Sequence, residues 1–125
     1  MTYPTDETTV ADLMTADLIT IGGAEPIERA ADILGGVSVN ALPVMNGNDV
    51  VGIVTPSDLV GQTPPGEPVS SVMSRNVRVV DINAPATEAA RTMRSEAVHH
   101  LIAVDGATPV GIISTFDLLR VLTGD

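Results

Sequence analysis

The sequence predicts an α/β fold of the α+β kind, built from two pseudo-symmetric halves that each run β-α-β-β-α. Three observations carry that expectation. The segment Val51-Gly52-Ile53-Val54-Thr55-Pro56-Ser57-Asp58-Leu59 returns 59 positions later as Val110-Gly111-Ile112-Ile113-Ser114-Thr115-Phe116-Asp117-Leu118. The same ungapped offset superimposes Met14 on Met73, Pro26 on Pro85, Leu42 on Leu101 and Gly47 on Gly106. Within each copy, short β-branched runs alternate with apolar stripes at helical spacing. Self-similarity at a fixed period decides the architecture before anything else does. Two copies suit a closed pair with a pseudo-twofold axis and two equivalent clefts. A copy of roughly 50 residues is marginal alone, because small units bury too little of their surface.

The elements follow in order. Residues 1–9 read as a loose polar tail, 10–60 as the first motif, 61–68 as a stiff Pro-rich linker and 69–122 as the second motif. Val10–Met14 and Val69–Met73 open each copy as a helical turn. Leu18–Ile21 and Val77–Val80 read as strands. Pro26 and Pro85 are expected at the first helical position, where the missing N–H costs nothing. Ile27, Ala30, Ala31, Ile33 and Leu34 give the first helix its apolar stripe, with a stop at Gly35-Gly36. Ala86, Ala89, Ala90 and Met93 do the same in the second copy, leaving Arg91 and Arg94 toward water. Two strands then flank Gly47 and, in the second copy, Gly106, which supply the positive φ of a hairpin. A last helix starts after Thr55 and after Ser114.

Composition removes several functions. The 125-residue chain carries a net charge of −10, which opposes nucleic acid and anionic membranes. It has no cysteine for disulfides or thiolate metal sites. It has one Phe, one Tyr and no Trp, so base stacking on aromatic platforms is not available. No apolar run approaches a membrane span of about 20 residues, and the N-terminus lacks the features of a signal peptide. A soluble, cytoplasmic protein is expected. His99 and His100 are neighbours on a strand and point to opposite faces, so they do not chelate one ion. No metal site and no nucleophile–base–acid set is visible, and an enzyme is not expected.

One motif carries chemistry: Gly-x-x-(Thr/Ser)-x-x-Asp, at Gly52/Thr55/Asp58 and Gly111/Ser114/Asp117. A hydroxyl followed three residues later by a carboxylate approximates a capping box, in which both side chains satisfy helix-end N–H groups. The same geometry suits a nucleotide. A helix start offers N–H groups and dipole to phosphate, the hydroxyl adds a donor, and the carboxylate accepts ribose hydroxyls. Both readings stand at this point.

Taken together, the leader Met14 and Met73, Ala41-Leu42-Pro43-Val44, His100-Leu101-Ile102-Ala103-Val104-Asp105-Gly106 and the paired motifs resemble a tandem pair of CBS domains, a Bateman module. The resemblance covers residues 10–122. It implies two motifs packed through their sheets, with clefts between them that bind adenine nucleotides. Thr55 and Ser114 would contact phosphate, and Asp58 and Asp117 would hold ribose. Adenine would lie near Thr20 and Val79 and along Asn40, Ala41, Leu42 and Pro43, and His99, His100, Leu101 and Ile102. Arg75, Arg78 and Arg120 are candidate phosphate-side cations. AMP, ADP or ATP, with or without Mg, is the expected ligand rather than a cofactor, and S-adenosylmethionine ranks behind them. The resemblance further implies a homodimer, in contact near Pro56 and Thr115, that regulates a protein target supplied in trans. The alternative is a docking or dimerisation module that needs no ligand. Residues 1–67 hold ten acids and one Arg, whereas 68–125 hold six acids and five Arg. The second cleft is therefore expected to prefer a polyphosphate.

Overall fold

The computed structural model describes residues 8–36, 39–61 and 65–123. They form two compact units, one from residues 8–18 and 78–123, the other from the described residues between 19 and 77. The unit boundaries do not follow the repeat. Each repeat's leader is counted in the unit that holds the other repeat's sheet.

In the first unit the leader supplies α1 (Val10–Leu13) and β1 (Thr15–Ala16). The rest is β5 (Val79–Asp81), α4 (Ala86–Glu96), β6 (His100–Asp105), β7 (Thr108–Ser114) and α5 (Thr115–Thr123). Its sheet runs β1-β7-β6-β5. The β5–β6 pair is parallel, while β6–β7 and β1–β7 are antiparallel. Val10, Leu101, Ala103, Ile113 and Met93 share one core with Val80, Ala86 and Ala89. Three backbone bonds pin the leader: Val10 N–H to Ala84 C=O (2.9 Å), Ala11 N–H to Ile82 C=O (3.0 Å) and Ala86 N–H to Thr8 C=O (2.7 Å). Thr8, expected in a loose tail, is held in this way, and Thr9 forms an antiparallel bridge with Pro85. Residues 1–7 lie outside the described residues.

The second unit is built likewise. It contains β2 (Ile21–Gly22), α2 (Ile27–Gly36), β3 (Leu42–Asn46), β4 (Asp49–Val54) and α3 (Pro56–Leu59). A 3₁₀ turn, Val69–Ser71, occupies the place that α1 has in the first unit. The sheet runs β2-β3-β4, around a core of Ile21, Ala30, Leu42, Val44, Val54 and Val69. Ser74 exchanges both backbone bonds with Ile53, at 2.9 and 2.8 Å. Thr15 pairs with Ile112 at the equivalent place in the first unit. Both hairpins have two-residue loops with Gly47 (φ 63°) or Gly106 (φ 65°) first. Both carry a bulge at the same repeat position, after Val44 and after Ala103.

Two local expectations need correction. The strand expected over Leu18–Ile21 is only Ile21–Gly22. In the second repeat Ile102 donates its N–H to Arg78 C=O at 3.0 Å, which draws the counterpart segment toward the sheet. The residue at that place in the first repeat is Pro43, which has no N–H to donate. Next, Pro26 and Pro85 stand one residue ahead of their helices. Pro85 is the N-cap, with ψ 147°. The first helical N–H groups, of Ile27 and Ala86, go to Glu67 and Thr8 carbonyls. Gly35 and Gly36 are the last two, exposed residues of α2, where the stop was expected. The linker expected over 61–68 falls partly on residues 62–64, outside the described residues. Beyond them, Gly66 N–H reaches Glu28 Oε1 at 3.0 Å.

Candidate functional site

Ser114 closes β7 and Asp117 lies in the first turn of α5. The Asp117 Oδ2 accepts the Ser114 N–H (2.8 Å) and the Ser114 hydroxyl (3.1 Å), while Ser114 Oγ accepts the Asp117 N–H (3.2 Å). This is a complete reciprocal box. In the other unit Asp58 Oδ2 accepts the Thr55 N–H (2.8 Å) and the Thr55 hydroxyl (3.1 Å). The Thr55 and Ser57 hydroxyl oxygens lie 3.0 Å apart, a partner that the motif pattern did not mark. The capping reading is therefore realised in both copies. A third Thr-x-x-Asp serves the leader, where Thr9 N–H reaches Asp12 Oδ2 at 2.9 Å, with Asp6 in place of the motif glycine. A hydroxyl and an acid at this spacing are thus sufficient for a helix start. What the two repeat motifs add is the strand end before them.

The predicted residues divide into those the fold brings together and those it separates. His100 pairs with Ser114 across β6 and β7, and Val79 pairs with Ile102. Asp117 follows directly on α5. Val79, His100, Leu101, Ile102, Ser114 and Asp117 accordingly share one region of the first unit. Val79 is 59% exposed on an edge strand, while Leu101 and Ile102 are fully buried and offer backbone only. In the second unit Ala41, Leu42 and Pro43 are buried beside half-buried Thr55 and Asp58, whereas Thr20 and Asn40 are exposed and outside any strand. The side chains of Leu42 and Pro43 are sealed from ligand, and Pro43 has no amide to offer.

The candidate cations are dispersed. Arg120 donates from Nη2 to Leu13 C=O (2.9 Å) and lies 3.6 Å from Asp117 Oδ1. It clamps the last residue of α1, whose carbonyl has no partner within so short a helix. Sequence reading could not find this contact, because it joins residues 107 positions apart. Arg78 pairs with Glu96 at 3.5 Å. Arg75 reaches Ser70 C=O at 3.4 Å and lines a different cavity, away from Thr55 and Asp58. Exposed His99 lines an apolar groove between α4 and α5, with Met93, Leu118 and Leu119. Among the described residues no group of acids and histidines could hold a metal ion.

His100 is held below its ordinary pKa, first by burial and then by His99, while Asp117 opposes the shift. The folded chain thus favours neutral His100, whereas the unfolded chain takes up the proton near pH 6.5. The sign follows directly. The contribution of His100 to stability is present above that pH, is lost as pH falls through it, and levels off below the folded pKa. Urea unfolding between pH 8 and 5 checks this. The wild type should lose stability relative to His100→Gln as the medium becomes more acidic, and parallel curves would exclude it.

Two small mixed sheets, repeated leaders and repeated capped strand ends define a tandem pair of α+β motifs. The chain belongs to the CBS domain family, whose model matches residues 10–62 and 69–124, so it is a tandem CBS pair. It is similar to the CBS domain-containing protein YhcV of Bacillus subtilis, 30% identical over 87% of this chain and 81% of that one. It is also similar to homoserine O-acetyltransferase of Methanococcoides burtonii, 31% identical over 92% of this chain but only 24% of the enzyme. Among solved structures it resembles the CBS domain pair of protein MJ0100, in complex with 5′-methylthioadenosine and S-adenosyl-L-methionine. That likeness has a TM-score of 0.83 and 28% identity, over 94% of this chain and 97% of that one. Among the described residues no helix is long and apolar enough to cross a membrane.

Proposed function

We propose that this chain is a non-catalytic regulatory module that binds an adenine nucleotide at its capped strand ends and passes the change to a cytoplasmic protein target. The observation that carries this reading is the Ser114–Asp117 box, with His100 paired beside it and Arg120 next to the carboxylate. Asp117 uses Oδ2 for the cap, so Oδ1 is the atom that would meet a ribose hydroxyl. The likeness to a CBS pair holding two adenosine-based ligands supports the same ligand class. AMP, ADP and ATP, alone or with Mg, lead the candidates, with S-adenosylmethionine behind them.

The two copies are unequal. Ser114 starts a nine-residue helix, whereas Thr55 starts one of four residues, and a longer helix aligns more peptide dipoles. The first repeat carries Ala41 and Gly61 where the second has His100 and Arg120. The Ser114/Asp117 site is the stronger of the two for a polyphosphate.

Isothermal titration with ATP, ADP, AMP and S-adenosylmethionine, each with and without Mg, tests the proposal. Asp117→Ala should weaken nucleotide binding about tenfold or more, as loss of a charged hydrogen-bond partner does, and Asp58→Ala should weaken it less. Equal losses would reject the ranking. Absence of heat, together with an unmoved melting temperature, would reject nucleotide binding, because ligand at a hundred times its Kd adds about 2.7 kcal/mol. A second reading, a ligand-independent docking or dimerisation module, draws on exposed Phe116 (71%), Leu119 (49%) and Leu122 (38%), which follow one another along α5. It predicts that charged substitutions at Phe116 and Leu119 change the oligomeric state with or without nucleotide.

A further inference from the structure

Gly22 and Gly23 are glycines the backbone does not require. Neither has a positive φ. A Cβ at Gly22 would meet only Glu25 Cγ at 3.7 Å, and one at Gly23 only Val44 Cγ1 at 3.5 Å and Ser70 Cβ at 3.6 Å, all ordinary contacts. What these glycines leave is space. They border a cavity of about 630 Å³ at the hairpin end of the second unit, with Met45, Asn46, Met73 and Arg75.

The repeat supplies its own comparison. The offset of 59 places Asp81 opposite Gly22, Ile82 opposite Gly23, Asp105 opposite Asn46 and Ala16 opposite Arg75. In the first unit Ile82 packs on the core, and Asp81 Oδ1 accepts the Asn83 N–H at 2.8 Å. The second unit has lost both acids and the filling side chain and has gained a cation. No Asp or Glu lines the cavity, although the whole chain stands at −10. Glu25 borders Gly22 but is not part of the lining. The Arg75 guanidinium has five donors. Among the described residues its one hydrogen bond is the long one to Ser70 C=O.

We infer that this cavity is a second binding site, for a small organic anion: an oxyanion head held by Arg75 and Asn46 on an apolar body packed against Met45 and Met73. The site is independent of the nucleotide reading, since Thr55, Asp58, Ser114 and Asp117 take no part in it. The head can be a carboxylate or a phosphate monoester, and the two are separated by the choice of probe.

The experiment is an amide NMR titration of the full chain with phenylacetate and, separately, phenyl phosphate. The expected result is a saturable shift of the Gly22, Gly23 and Gly47 amides with at least one probe. Which probe binds tighter names the head group. Arg75→Ala should weaken binding about tenfold or more, by loss of a charge-assisted hydrogen bond. Gly22→Asp with Gly23→Ile, the residues of the other repeat, should abolish binding while leaving the melting curve unchanged. Asp117→Ala should leave binding unchanged. Gly22, Gly23 and Gly47 shifts that are absent with both probes, or that survive Arg75→Ala, would overturn the site. Should the double glycine variant unfold, Arg75→Ala alone decides.

Discussion

Deleting residues 1–14 should unfold the unit that carries the second repeat, although every deleted residue precedes the first repeat's sheet. Val10 is fully buried in that unit's core. Burying a valine contributes about 1.5–3 kcal/mol. The deletion also removes the three backbone bonds that tie Thr8, Val10 and Ala11 to Ile82, Ala84 and Ala86. Each is worth about 0.5–1.5 kcal/mol net. The Arg120 contact with Leu13 goes as well. The combined loss, about 3–7.5 kcal/mol by these figures, is comparable with the whole stability of a small domain, about 5–15 kcal/mol. Amide exchange should show protection lost first in β6, β7 and α4. Val10→Ala is the milder companion and should cost about 1.6 kcal/mol for two methyl groups, plus a cavity contribution. If exchange instead rises first in β3 and β4, the leader serves its own repeat and the assignment fails.

That leader exchange marks the limit of what the sequence made legible. The repeat itself was plain, because Gly-x-x-(Thr/Ser)-x-x-Asp, the hairpin glycines and the alternating strands are local patterns. Their spacing alone fixes strand–turn–strand and strand–cap–helix. Which sheet a leader joins is not local. Val10–Met14 and Val69–Met73 look the same wherever they dock, so residue types could not show that each packs with the other copy's strands. The early break before Ile21 was readable in principle, from Pro43 standing opposite Ile102. It required knowing that the residue at this position donates to the neighbouring segment.

The candidate site was legible in the same partial way. The hydroxyl and acid of each motif were marked, and their mutual geometry is the one the capping pattern requires. The neighbours were marked less well. Arg120 was marked as a candidate phosphate-side cation, and its contact across 107 positions leaves no trace in spacing. Arg75 was marked because the cations gather in the second half of the chain, and that gathering does not tell which cavity a residue lines. His100 opens β6 and is half-buried beside Ser114, whereas His99 stands just before the strand, exposed over the α4–α5 groove.

The glycine that opens the motif is the remaining part, and it supports the second large prediction. A Cβ at Gly52 would collide with Met73 Sδ, lie 2.8 Å from Met73 Cγ and 2.9 Å from Ser74 C=O. At Gly111 the same atom would stand 2.8 Å from both Met14 Sδ and Thr15 C=O. A methionine side chain can swing aside, but the carbonyl is fixed by the leader's pairing, at Ile53–Ser74 and Thr15–Ile112. Gly52→Val and Gly111→Val should therefore each destabilise by about 1–3 kcal/mol through overpacking, and Gly22→Val, which has room, by much less. Denaturant midpoints at constant m check the order. Met73→Ala combined with Gly52→Val should recover only the side-chain share of the loss. Full recovery would show that the carbonyl yields, and no loss in either single variant would show that the motif glycine is not set by leader packing. The glycine thus positions the leader against the strand, and that strand ends at the capped residue. Any ligand bound at Ser114 or Thr55 therefore acts on a strand end whose register is held by the exchanged leader.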